Sequence, residues 1–201
     1  MDVRLVEFAQ LSDDDIKRMA LLHHSVMHTL LSNLGLPVVV RYYQLARAQP
    51  DVLGMCAVST SGEILGWAMG SPYPDRINAG LRSPLSWFLA QMFRLMLTRP
   101  LVLWQLISTV LSSSSQVEMT SGAIELTYIG VAANQRRRGM GAKLLNAFIE
   151  ASRAHGYRSV ILSVEKENSS ALVLYERAGF KVIRTFTEGR FARHRMELTL
   201  V

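Results

Sequence analysis

Two short stretches in the last third of the chain carry residues whose types and spacing could hold an anionic ligand and act on it. The first, Arg136-Arg137-Arg138-Gly139-Met140-Gly141-Ala142, follows the apolar run Ile129-Gly130-Val131 and opens the helical pattern GAKLLNAFIEASRAH. Main-chain N–H groups in the first turn of a helix lack intrahelical acceptors and suit phosphate oxygens. Glycines at 139 and 141 permit positive φ and close approach of a ligand to the backbone, while the arginines raise the local potential. The stretch lacks the Gly-Lys-Ser/Thr ending of a P-loop and the spacing of the dinucleotide G-x-G-x-x-G fingerprint. The second stretch is Asn168, Ala171 and Tyr175, whose i, i+3, i+7 spacing puts them on one helix face. Singly they read as a cap, a small packing residue and a buried aromatic. Together they fit a groove for a slender ligand, with an amide at one end and a phenol two turns on.

The charge balance points to the same region. Residues 1–118 carry nine basic and nine acidic side chains, whereas residues 119–201 carry thirteen and seven, so the formal charge of +6 comes from the C-terminal part. A phosphorylated cofactor and a nucleic acid are both partners for such a surface. At 201 residues, 49% of them apolar, the chain is expected to form one domain over residues 1–201. Its one cysteine, Cys56, lies in an alternating apolar stretch and reads as a buried thiol in a reducing compartment. The opening residues MDVRLVEF read as a strand and not as a secretory leader, so a cytoplasmic location is expected. The uncharged run Pro100–Val117 has an apolar part of only eleven residues, Leu101–Leu111, against the ~20 of a spanning helix, and no transmembrane segment is expected.

The elements that must position these residues follow from periodicity and punctuation. Ser12 and Asp15 form a capping-box-like start to a helix that should run to near Gly35, and Pro37 suits the first turn of a second helix, PVVVRYYQLARAQ. DVLGMCAVS and EILGWAMGS read as strands joined by Thr60-Ser61-Gly62. The segment from about 76 to 118 looks inserted, with helices predicted over 84–98 and 100–112. Packed on the core it is structural; its Trp87, Phe88, Phe93 and Trp104 also suit a lid, a homodimer surface or a peripheral membrane contact. From Gly122 onward the pattern is strand, turn, helix, strand, helix, strand, strand. The helices stop at Gly156 and Gly179, and the near-continuous apolar strands imply helices on both faces of an α/β mixed sheet.

In that order, ELTYIGV, the R-x-x-G-x-G turn RRRGMG, VILSV and NSSALVLYERAGF resemble the core of the GNAT superfamily of acyl-CoA-dependent N-acetyltransferases over residues 122–199. The resemblance implies an acyltransferase fold with an inserted helical hairpin, and acetyl-CoA as cosubstrate. It would place the pyrophosphate on residues 136–142, the pantetheine arm along Ile129, Gly130 and Val131, and Asn168 on the arm's other side. Tyr175 would lie near the thioester sulfur as general acid, with the backbone near Ile129 polarising the carbonyl. Glu125, expected on the same strand face as Thr127, Ile129 and Val131, is the candidate base, although pairing with an arginine suits it equally. The acceptor would be a primary amine of a small molecule, such as an aminosugar, or of a peptide N-terminus, entering near residues 34–37 and 188–191. Arg190 and Arg193 there suggest an anionic acceptor.

A non-catalytic acyl-CoA sensor is the alternative. Binding of nucleic acid is not expected, because it leaves the glycines and the Asn/Ala/Tyr face without a role. His24 and His28 are one helical turn apart and lack a third ligand, so no metal is expected. His194 reads as a solvent-facing strand residue.

Overall fold

A short strand at the start of the chain and the nearly fully buried strands of the 53–71 hairpin build one side of a seven-stranded sheet. In the computed structural model, which describes residues 3–27, 29–98, 121–188 and 191–200, the strands are β1 (Val3–Glu7), β2 (Leu53–Ser59), β3 (Ile64–Ser71), β4 (Ala123–Val131), β5 (Ser159–Glu165), β6 (Lys181–Glu188) and β7 (Phe191–Thr199). They lie in the order β1-β2-β3-β4-β5-β7-β6. Every neighbouring pair is antiparallel except β4 and β5, which run parallel. The helices are α1 (Asp13–Val26), α2 (Leu30–Asn33), α3 (Leu36–Arg47), α4 (Pro74–Gly80), α5 (Leu85–Thr98), α6 (Met140–Ala154) and α7 (Ser169–Arg177).

Two apolar clusters sandwich the sheet, as expected of helices on both faces. On one face Ile16, Met19 and Ala20 of α1 pack with Val39, Tyr42 and Tyr43 of α3 against Cys56, Trp67 and Met69. On the other, Leu144, Leu145 and Phe148 of α6 and Tyr175 of α7 cover Ala57, Leu65, Ile124 and Leu162. Burial raises the Cys56 thiol well above its usual range, so it stays an inert core thiol, 3.6 Å from the Met19 sulfur.

The start of α1 is the expected capping box: Ser12 Oγ accepts from the Asp15 N–H and Asp15 Oδ2 accepts from the Ser12 N–H, both at 3.2 Å. Its end differs from the expectation of one helix to Gly35. The chain turns extended at Met27 (φ −120°, ψ 128°) and restarts at α2, where Thr29 Oγ1 accepts from the Ser32 N–H. Ser32 Oγ donates to the Met27 carbonyl at 2.7 Å, so local side-chain bonds satisfy the groups that a continuous helix would have used. Gly35 then takes φ +97° before α3, which holds Pro37 in its first turn as expected.

Within the insertion, α5 matches the helix predicted over 84–98, while α4, begun by Pro74, was not anticipated. The helix predicted over 100–112, Trp104 and the serine loop lie outside the described residues. Trp87 ties α5 to the body: its ring lies 4.8 Å under the Arg41 guanidinium, whose Nη2 donates to the Ser83 carbonyl.

Candidate active site at the strand fork

The site begins with a break in the sheet. β4 and β5 pair only through Ala123↔Ser159, Ile124↔Val160 and Glu125↔Ile161, yet β4 continues beside β3 to Val131 and β5 continues beside β7 to Glu165. The strands therefore part after Glu125, and the fork opens at their carboxyl ends, where open α/β sheets receive ligands. In this stretch β4 also carries a bulge: Tyr128 lies opposite Met69 while Leu126 lies opposite Gly70, leaving Thr127 as the extra residue.

The bulge corrects the expected strand face. Tyr128 packs with the α1/α3 cluster, whereas Ile129 and Val131 pack with the α6/α7 cluster. Glu125 therefore shares its face with Tyr128 and not with Ile129 and Val131, because one extra residue reverses the alternation. Gly130 has to be glycine for a packing reason, since a Cβ there would stand 2.5 Å from the Trp67 indole.

Residues 136–139 form the turn at the fork's mouth and are exposed. Arg137 sits at φ +60° and Gly139 at φ +78°, so the chain curls and α6 starts from a left-handed N-cap without a side-chain cap. The amides of Met140, Gly141 and Ala142 thus open an uncapped helix, and nothing lies within 4 Å of where a Gly139 Cβ would be. Uncapped amides, exposed space and three arginines fit a pyrophosphate.

On the opposite wall, Asn168 caps α7 as expected: its Oδ1 accepts from the Ala171 N–H at 3.2 Å and from Ser170 Oγ at 3.1 Å. Its Nδ2 remains a donor for a ligand. Tyr175 is buried against Phe180, with ring centroids 5.8 Å apart, and burial raises its phenol to about 12. A phenol so shifted stays protonated at neutral pH. The two walls meet where the Cβ position of Gly141 comes within 3.5 Å of Leu174.

Glu125 stands at the apex of the fork, held by a guanidinium. Arg195 of β7 donates from Nη1 to Glu125 Oε1 at 2.8 Å and from Nη2 to Oε2 at 2.9 Å, and also to Ser163 Oγ at 3.0 Å. Beside it lies a buried polar cluster that sequence reasoning passed over. His23 bonds through Nδ1 with the Tyr43 hydroxyl at 2.6 Å and through Nε2 with Thr29 Oγ1 at 3.2 Å, and its ring centroid lies 5.0 Å from that of Tyr128. Burial lowers the His23 imidazole to about 4. A signal for it existed, because Ile16, Met19, Ala20 and His23 form one i, i+3, i+4, i+7 stripe. Arg195 offered none: it is buried next to buried Met196, and strand alternation does not foresee adjacent buried residues.

Other expectations fall at the periphery. His24 is exposed, His28 lies outside the described residues, and among the described residues no group of three or more His, Cys, Asp or Glu is placed to hold a metal. His194 Nδ1 bonds with Thr185 Oγ1 at 2.8 Å, Arg193 lies 3.6 Å from Glu165, and Arg190 is outside the described residues. A cleft of about 300 Å³ lies between the α1–α3 link and α5, lined by His24, Asn33, Pro37, Gln91 and Arg94 among others.

The candidate site is thus a parallel pair forked at its carboxyl ends, with an uncapped glycine turn on one arm and a capped helix carrying a buried tyrosine on the other. Residues 24–180 match the acetyltransferase (GNAT) family, and the chain belongs to that family. A mycothiol acetyltransferase of Corynebacterium glutamicum (strain R) is 41% identical over 58 residues, 29% of this chain and 20% of that protein. The L-methionine sulfoximine/L-methionine sulfone acetyltransferase of Pseudomonas paraeruginosa is 37% identical over 49 residues, 24% of this chain and 28% of that protein. The alignments thus span a fifth to just over a quarter of these curated relatives. Among solved structures, the ribosomal-protein-S18-alanine N-acetyltransferase of Escherichia coli superposes with a TM-score of 0.62 at 14% identity, over 99% of this chain and 94% of that one. Ard1 of Thermoplasma volcanium superposes with a TM-score of 0.62 at 15% identity, over 100% and 99%. These likenesses establish the fold. Among the described residues no helix is long and apolar enough to cross a membrane.

Proposed function

We propose that the protein transfers an acetyl group from acetyl-CoA to a primary amine by direct attack in a ternary complex. The observation that carries this reading is the end of β4–β5 pairing at Glu125↔Ile161, which leaves a slot between the glycine turn and the Asn168/Tyr175 wall. Acetyl-CoA supplies the acyl group as an activated thioester. The turn at 136–142 binds its pyrophosphate, and the backbone of Ile129–Val131 and Asn168 Nδ2 orient its arm. As the new C–N bond forms and the C–S bond breaks, Tyr175 gives its proton to the leaving sulfur, and the neighbouring backbone N–H groups stabilise the carbonyl oxygen. Glu125, fixed by Arg195, takes the surplus amine proton through a water. The amine enters from the cleft between the α1–α3 link and α5, where the absence of acidic residues among the named lining residues and the presence of Arg94 favour an acceptor carrying a carboxylate or phosphate over a polyamine.

The first test is the thermal midpoint titrated with acetyl-CoA, with ATP as control. Ligand at 100 times its dissociation constant adds about 2.7 kcal/mol, or roughly 5–10 °C for a chain of this size. Tyr175→Phe should keep that shift and lower turnover on an amine panel by about 10²–10⁴-fold. No shift with acetyl-CoA would overturn the reading. A kept shift with undiminished turnover would remove Tyr175 from the chemistry.

A further inference from the structure

We propose that the exposed face of α5 seats the protein on an anionic lipid surface. Leu85, Leu89, Phe93, Met96 and Leu97 are 64, 56, 60, 50 and 67% exposed. At 100° per residue they fall within an arc of about 120° on consecutive turns. The opposite side of the same helix is already engaged: Leu95 is buried, Trp87 sits under Arg41 and Gln91 lines the cleft. The helix therefore turns a second apolar face to solvent, and contiguous patches of this kind mark interaction sites.

Charge decides among the occupants. From Arg76 to Val117 the sequence has four arginines and no aspartate or glutamate; exposed Arg82 lies just before the stripe, and exposed Arg94 borders it on the side of the cleft. A second copy meeting this face through a two-fold axis would add its own arginines to the rim, with no carboxylate of the segment to offset them. An anionic headgroup layer instead accepts the arginines on its phosphates while the leucines and Phe93 enter the acyl boundary. Among the described residues no helix is long and apolar enough to cross a membrane, and the proposed contact is the lateral one of an amphipathic helix in the interface.

The test is flotation of the full chain with vesicles of phosphatidylcholine alone or with about 30% phosphatidylglycerol, at low salt and at ~0.5 M salt. Binding to the anionic vesicles should be at least about ten-fold stronger, fall in high salt, and weaken severalfold in Arg82→Gln. The pair Leu89→Glu and Phe93→Glu should abolish it while leaving the acetyl-CoA thermal shift intact, which excludes misfolding. Failure to float with anionic vesicles overturns the proposal, and dimers that the same pair dissolves in analytical ultracentrifugation would then give the face to a second copy. Undiminished flotation of the Leu89→Glu/Phe93→Glu protein also overturns it, by moving the contact off α5.

Discussion

Removing one partner of the Glu125–Arg195 pair tests whether the fork's apex is held by charge. Arg195→Ala deletes the guanidinium that bonds both Glu125 oxygens, at 2.8 and 2.9 Å, and Ser163 Oγ at 3.0 Å. The Arg195 side chain is 5% exposed and that of Glu125 20%, so the carboxylate is left in a largely dry site. Breaking a buried pair costs about 3–5 kcal/mol. Partial exposure lets water reach the orphaned Glu125 and puts the expected loss near the lower end, about 3 kcal/mol. At roughly 2–4 °C per kcal/mol, the thermal midpoint should fall by roughly 6–12 °C. Adding Glu125→Gln to Arg195→Ala leaves no orphaned charge and should recover part of the loss, so the cycle of the parent chain, the two single changes and the double shows coupling. Differential scanning calorimetry on the four proteins, with urea titration as a second measure, reads this directly. A fall of less than about 2 °C in Arg195→Ala, or additive single changes, would show that the pair behaves as a surface ion pair and refute the argument that it fixes Glu125.

Acid should strain the protein through His23. Its folded value of about 4 lies below the ordinary 6.5, so the unfolded chain takes up a proton first; the contribution is complete above pH 6.5 and is lost progressively toward pH 4. The loss is about 3 kcal/mol at most, and His23→Gln should flatten the midpoint-against-pH curve over that window. Gly130→Ala drives a methyl group to 2.5 Å from the Trp67 indole and should cost about 1–3 kcal/mol in denaturant titration. Arg137→Gly relieves a left-handed residue at φ +60° and should hold or raise stability by up to about 1 kcal/mol, while acetyl-CoA affinity measured by calorimetry falls with the loss of a cation.

The fold was legible in the sequence wherever a local pattern has a single physical reading. Continuous apolar runs gave the central strands, glycines at 156 and 179 the helix ends, and Ser12/Asp15 the first cap. The turn at 136–142 and the helix face of Asn168, Ala171 and Tyr175 are local motifs that the family resemblance joined, and in the structure their two helices approach where the Gly141 Cβ position stands 3.5 Å from Leu174. Most of what escaped depends on contacts distant in sequence. The bulge at Thr127 is a matter of register with β3, and it reversed the face assigned to Glu125. Arg195 reaches Glu125 across seventy residues of chain. The break of the first helix at Met27 rests on Thr29 and Ser32 side-chain bonds that compete with an otherwise helical pattern.

The three-residue seam between β4 and β5 also has a mechanical meaning. It makes the sheet two plates, β1–β4 and β5–β7–β6, hinged along Ala123–Glu125 and Ser159–Ile161. Beyond the hinge, the main-chain groups of β4 that point away from β3 meet no strand among the described residues. In hydrogen–deuterium exchange their amides should exchange faster than those of β3 alongside. A bound molecule lying in the gap would bridge the plates like a missing strand, slowing exchange on both sides of the hinge and stiffening the sheet as one body.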